Sequence, residues 1–162
     1  MLLRRIGAYL TDIVLLFAIL APLGYVVMQA LGIEPSSPRE VYATLLLNFS
    51  LPVWAYFTVS DHSPRGATLG KRLLSVQTSA LDNSRVGWLQ ALGRTAVKML
   101  PWEMAHAASF LFVPALGEFG VVSWIGLGTS YALTFAYVVA AWRTGGHRSV
   151  HDWASGTQVV RV

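Results

Sequence analysis

The sequence predicts an all-α membrane protein: a four-transmembrane-helix bundle with a surface amphipathic helix and a small cytoplasmic β element, all in one domain over residues 1–162. Three observations lead there. Of the 162 residues, 54% are hydrophobic and only 12% charged, whereas a soluble domain is about 25% charged. The apolar residues gather in runs long enough to cross a bilayer. The basic residues lie in the short segments between those runs, as expected of a chain whose topology is set by charge.

The first run, residues 6–31, carries a single charge, Asp12. Arg4 and Arg5 precede it as in a signal peptide, but a signal core is only about 7–15 residues long. The length and the carboxylate argue for a retained helix. A Pro- and Ser-rich loop leads to the second run, residues 41–59, which contains Asn48 and Pro52 and ends at Ser60-Asp61-His62. A polar segment, residues 60–96, follows and is expected in the cytoplasm. Within it Leu73–Thr78 alternates like a strand, Asp82-Asn83-Ser84 marks a turn, and Arg85-Val86-Gly87 is placed to return as a second strand. From Trp88 to Met99, Trp88, Leu89, Leu92, Ala96 and Met99 recur at helical spacing against Arg94 and Lys98. That pattern predicts a helix lying on the membrane surface. The third span is placed at 97–114 and contains Pro101, Glu103 and His106; the fourth, at 119–142, has no charge. A polar tail, residues 143–162, ends in the strand-like Thr157–Val162, which is expected to complete the β element with Leu73–Thr78.

Orientation follows from the bases. Two precede the first span, six lie between Arg65 and Lys98, and three are in the tail, whereas the first hairpin loop has only Arg39. Cationic loops stay inside, so both chain ends and the central segment are expected on the cytoplasmic face. The net charge of +4 then suits anionic lipid head groups as partner and not nucleic acid. With no cysteine, disulfides and thiolate metal sites are excluded.

Three segments carry a resemblance. Arg5-Ile6-Gly7-Ala8-Tyr9-Leu10-Thr11-Asp12 resembles the opening signature of the RDD family, an arginine at the start of the first helix and an aspartate within it. Gly66-Ala67-Thr68-Leu69-Gly70-Lys71-Arg72-Leu73-Leu74 resembles its central motif, and Ser149–Thr157 its closing motif, with Asp152 as the second aspartate. Ser155 stands where the family tends to have a small apolar residue. The resemblance implies a bacterial multi-pass protein of the cytoplasmic membrane, and some members of that family are associated with sodium/proton antiport.

The candidate site residues follow from the cost of burying charge. Asp12 lies two turns from Arg5, roughly 10 Å along the same helix face, where a carboxylate facing lipid is expensive. It is expected to face the bundle, either as an ion or proton site with Arg5 and Asp152 or as a fixed contact that locks helix packing. Glu103 and His106 share a face at Glu-x-x-His spacing. A di-iron bundle needs two such motifs, so a proton relay with Asp12 is favoured over a metal site, beside the plainer reading that Glu103 lies at the cytoplasmic interface and snorkels; no metal or other cofactor is expected. Gly66, Thr68, Gly70, Lys71 and His151 form the cytoplasmic motif. Gly66-x-x-x-Gly70-Lys71 is one residue short of a Walker loop and lacks the Ser or Thr after Lys. Ser149, His147, His151 and Asp152 are sequence neighbours, which rarely converge as a triad, so no enzyme is expected. The six tryptophans, Trp54, Trp88, Trp102, Trp124, Trp142 and Trp153, fall near span ends as interfacial anchors. The expected function is cation (sodium)/proton exchange through Asp12, in a homo-oligomer because four spans leave little room for an alternating-access path. The alternative is a non-catalytic adaptor or assembly subunit, working with a membrane protein partner, in which the Arg-Asp-Asp residues are structural.

Overall fold

A computed structural model describes all 162 residues. The chain forms four helical rods, a handful of short elements and a two-stranded sheet gathered at one end. Helix α1 is Leu2–Leu31, and it stops at Gly32, whose φ of 62° lets its N–H turn back to the carbonyls of Met28 and Gln29. The second rod begins at Ser37, whose hydroxyl accepts from Glu40 N, with Pro38 pre-set for the first turn. It runs as α2 (Pro38–Leu45), one π-helical turn (Leu46–Ser50) and α3 (Leu51–His62). The widened turn sits immediately before Pro52, where the ladder loses a donor.

Between the second and third rods lie α4 (Leu69–Leu73) and β1 (Val76–Ala80). The expected strand from Leu73 therefore begins three residues later, because Thr68 caps a helical turn with its hydroxyl on Lys71 N. Strand β1 pairs antiparallel with β2 (Thr157–Arg161), Val76 opposite Arg161 and Ala80 opposite Thr157. The expected return strand at Arg85–Gly87 does not form. Arg85 Nε donates to the His62 carbonyl at 2.6 Å, and the His62 ring meets the Val86 carbonyl at 2.9 Å. The end of α3 holds this segment.

The third rod is α5 (Trp88–His106), extended by a π-helical turn, Ala107–Leu111. The expected surface helix and the expected span 97–114 are thus one continuous element, and its polarity is the reverse of a surface helix. Leu89 is 84% exposed while Arg94 is 1% exposed. The basic stripe faces inward because carboxylates wait there. Pro101 leaves the Val97 carbonyl without its helical donor, and Tyr137 of α6 (Val121–Arg143) supplies one at 2.8 Å. Ser130 of α6 bonds the Pro101 carbonyl in the same way at 2.6 Å.

Three helices are long and apolar enough to cross a membrane: Leu2–Leu31, Pro38–His62 and Val121–Arg143. The α5 rod, which carries Arg94, Lys98 and Glu103, is not among them. The shared core lies between α1, the second rod and α5, where Leu16, Phe49, Val53, Phe57 and Met99 meet. Short α7 (Val150–Ser155) packs on α5 and turns the chain at Gly156 into β2. The start of α1, the sheet and the tail meet at the same end: Arg4 donates to the Leu74 carbonyl, and Val162 N to that of Ser75.

Candidate functional site: a buried charge ladder and a capping aspartate

Five charged side chains from five segments form an alternating ladder at that end. Lys71 Nζ donates to Asp61 Oδ1 at 2.5 Å, and Arg94 Nη1 to Asp61 Oδ2 at 2.6 Å. Arg94 then reaches Asp152 Oδ1 through Nε (3.1 Å) and Nη2 (3.0 Å). Arg5 closes the ladder on Asp152 Oδ2. All five are buried or nearly so, with both carboxylates fully sequestered. A buried carboxylate is tolerable only when its lone pairs are filled, and these are. Thr78 Oγ1 also donates to Asp61 at 3.3 Å, while Ser149 N at 2.8 Å and Thr157 Oγ1 at 3.2 Å complete Asp152.

Local structure explains why Asp152 is placed to do this. It is the third residue of α7, and its carboxylate turns back to the N–H of the capping residue Ser149. Burial opposes its charge, but Arg94 and Arg5 outweigh that and hold its pKa below the usual carboxylate range. His151 is the opposite case: burial, reinforced by Arg94, keeps it neutral far below its ordinary value of 6.5. An Arg5 N–H meets His151 Nε2 at 2.6 Å, so Nε2 accepts and the ring proton sits on Nδ1. Burial also lowers the Lys71 pKa, against the pull of Asp61.

Asp12 lies outside the ladder. Its Oδ1 accepts from Tyr56 Oη at 2.7 Å and Gly70 N at 2.8 Å, and its Oδ2 from Thr68 Oγ1 at 2.5 Å. Asp12 therefore anchors the first turn of α4 to α1. The approach is so close that a Cβ on Gly70 would lie 2.2 Å from the Ala8 carbonyl oxygen. Gly66 is required for a related reason. It has φ of +53°, its carbonyl accepts from Thr78 N at 2.7 Å, and a Cβ there would meet the Thr78 carbonyl at 2.2 Å.

The site residues named from sequence thus separate into three groups. Arg5, Lys71 and Asp152 belong to the ladder, with His151 bonded to Arg5 beside it, and Asp12, Thr68 and Gly70 to the α1–α4 contact. Arg5 and Asp12 share a face of α1 but not a contact, since Arg5 turns to the tail. Glu103 and His106 form the third group. Glu103 accepts from Ser50 Oγ and Trp54 Nε1, each at 3.1 Å, with His106 Nδ1 3.8 Å away. No hydrogen bond joins this pair to Asp12. Trp54 and Trp102 are interior rather than interfacial, Trp102 stacking on Phe49, whereas Trp124 and Trp142 are exposed.

Two members of the ladder, Asp61 and Arg94, were not singled out by sequence reasoning. The signal for Arg94 was available in its neighbours: Ala91 and Thr95 are small and fully buried, and they make room for a guanidinium on a packed face. Asp61 offered only a charge at the end of an apolar run.

Long apolar rods, and a buried charge ladder closing one end, define a small multi-pass membrane protein whose buried carboxylates are satisfied from within the chain. The chain matches the RDD family model over residues 1–156, and it belongs to that family. Comparison with curated proteins and with solved structures finds no match.

Proposed function

We propose that this protein is a non-catalytic membrane adaptor or assembly subunit in which Arg5, Asp12 and Asp152 lock the fold. The observation that carries this is the saturation of Asp12: Tyr56, Thr68 and Gly70 all donate to its carboxylate, and no cation pairs with it directly. Asp152 is equally filled. Groups held by so many donors set helix positions. The third rod, α5, also crosses the bilayer in this proposal, its charges shielded by partners on α3 and α7. The charge-ladder end faces the cytoplasm of a bacterial cell, because the basic residues cluster there. The exposed apolar faces of α1 and α6 serve lipid, a second copy or a membrane protein partner.

A second function, sodium/proton exchange, is favoured by one observation: Asp12 and Lys98 both line the cleft between α1 and α6. Flux in proteoliposomes separates the two. An adaptor gives no sodium-driven proton movement with wild-type protein, and Asp12→Asn lowers its stability. An exchanger gives flux that Asp12→Asn abolishes while the fold survives.

A further inference from the structure

Helix α6 packs on α5 and α7 but makes no extended packing against α1. The gap between α1 and α6 is a cleft of about 570 Å³, within the range of about 300–1,000 Å³ that holds organic ligands. Its walls include Ile6, Leu10, Tyr131 and Val138. Leu10 and Tyr131 are largely exposed, so the cleft borders the surface that meets lipid.

One end of this apolar cleft is cationic. Arg5, Lys71, Arg94 and Lys98 line it with Asp12 as the single carboxylate. Counting the ladder, these four cations face three carboxylates, Asp12, Asp61 and Asp152, which leaves one positive charge unmatched. Lys98 is the one of the four without a carboxylate partner. The other three cations each have an ion pair, whereas Lys98 makes neither an ion pair nor a hydrogen bond. Its ammonium lies 3.2 Å from the centroid of the Phe57 ring and 4.8 Å from that of Tyr9. Aromatic faces stabilise a cation but provide no acceptor for its three N–H groups. His151 lines the same cleft, and its Nδ1 is buried without a partner. With Nε2 occupied by Arg5, that Nδ1 is a second donor without an acceptor.

We propose that the cleft binds an anionic phospholipid, an acyl chain between α1 and α6 and the phosphate at Lys98 and His151. The phosphate provides the missing charge and the missing acceptors together, and the apolar walls select an amphiphile over a free anion. This holds whether or not the protein moves ions.

The test is native mass spectrometry of the purified full chain with phosphatidylglycerol, phosphatidylcholine or inorganic phosphate added. Wild type is expected to hold phosphatidylglycerol at least tenfold more tightly than phosphatidylcholine. Lys98→Gln should remove that preference, and millimolar phosphate should not displace the lipid. Equal retention of the two lipids by wild type, or an unchanged preference in Lys98→Gln, overturns the proposal. So does displacement by phosphate, which marks a free-anion site. Thr134→Phe fills the α6 wall and leaves Lys98 in place, so it covers the case in which Lys98→Gln does not fold. A folded Thr134→Phe protein that binds phosphatidylglycerol as wild type does would also overturn it.

Discussion

Arg94 grips Asp152 with two nitrogens, Nε at 3.1 Å and Nη2 at 3.0 Å, while its third nitrogen holds Asp61 at 2.6 Å. One side chain of α5 thereby ties the end of α3 to the tail helix α7. Replacing Arg94 with Met leaves two buried carboxylates short of a cation. The expected loss is about 3–5 kcal/mol, measured by denaturant unfolding in detergent. Arg94→Lys should recover only part of it, because an ammonium cannot reproduce the planar fork. Arg39→Ala, at an exposed position in the first turn of α2, should be neutral.

The ladder also predicts how stability varies with acidity. His151 is held neutral by burial, so its folded pKa lies far below the ordinary 6.5. The unfolded chain therefore takes up that proton first, and stability falls as pH drops below about 6.5. Asp152 has a folded pKa below its ordinary 3.8. Its contribution is complete at neutral pH and is lost in a second, more acid step as the unfolded carboxylate protonates. Unfolding followed across pH should resolve both losses. In His151→Gln the one nearer neutrality should disappear and the acid one remain.

The Gly70 contact gives a steric prediction. Gly70→Ala puts a methyl 2.2 Å from the Ala8 carbonyl oxygen, which is backbone and cannot rotate away. The chain must pull α4 off α1, which breaks the Gly70 N–H bond to Asp12. A loss of about 1–3 kcal/mol is expected from the overpacking. Gly93→Ala, in the open space of a helix surface, should be neutral or slightly stabilising in the same assay.

Topology can be checked by labelling, since the chain has no cysteine of its own. Cysteines introduced at Ser37 and at Asp82 should react from opposite sides of the membrane, with Ser37 accessible from outside. Labelling of both from one side would remove the second rod, Pro38–His62, as a crossing helix and with it the four-span topology.

What the sequence determined by itself is the class of protein. Long apolar runs can only be buried in lipid or in each other, and they yielded the rods at α1, the second helix and α6 close to their expected limits. The pairing of a strand near Val76 with the tail was also legible, because alternation and turn residues are local signals. Tertiary structure decided where the charges go. Periodicity groups Arg94 and Lys98 on one face of α5, but it does not say whether that face meets water, lipid or protein. Only the arrival of Asp61 from α3 and Asp152 from α7 turns it inward, since a buried guanidinium is stable only where carboxylates converge from elsewhere in the chain. The separation of Arg5 from Asp12 has the same origin. Seven residues of helix put them on one face, and long-range partners, Asp152 for one and the α4 turn for the other, pulled them into different contacts.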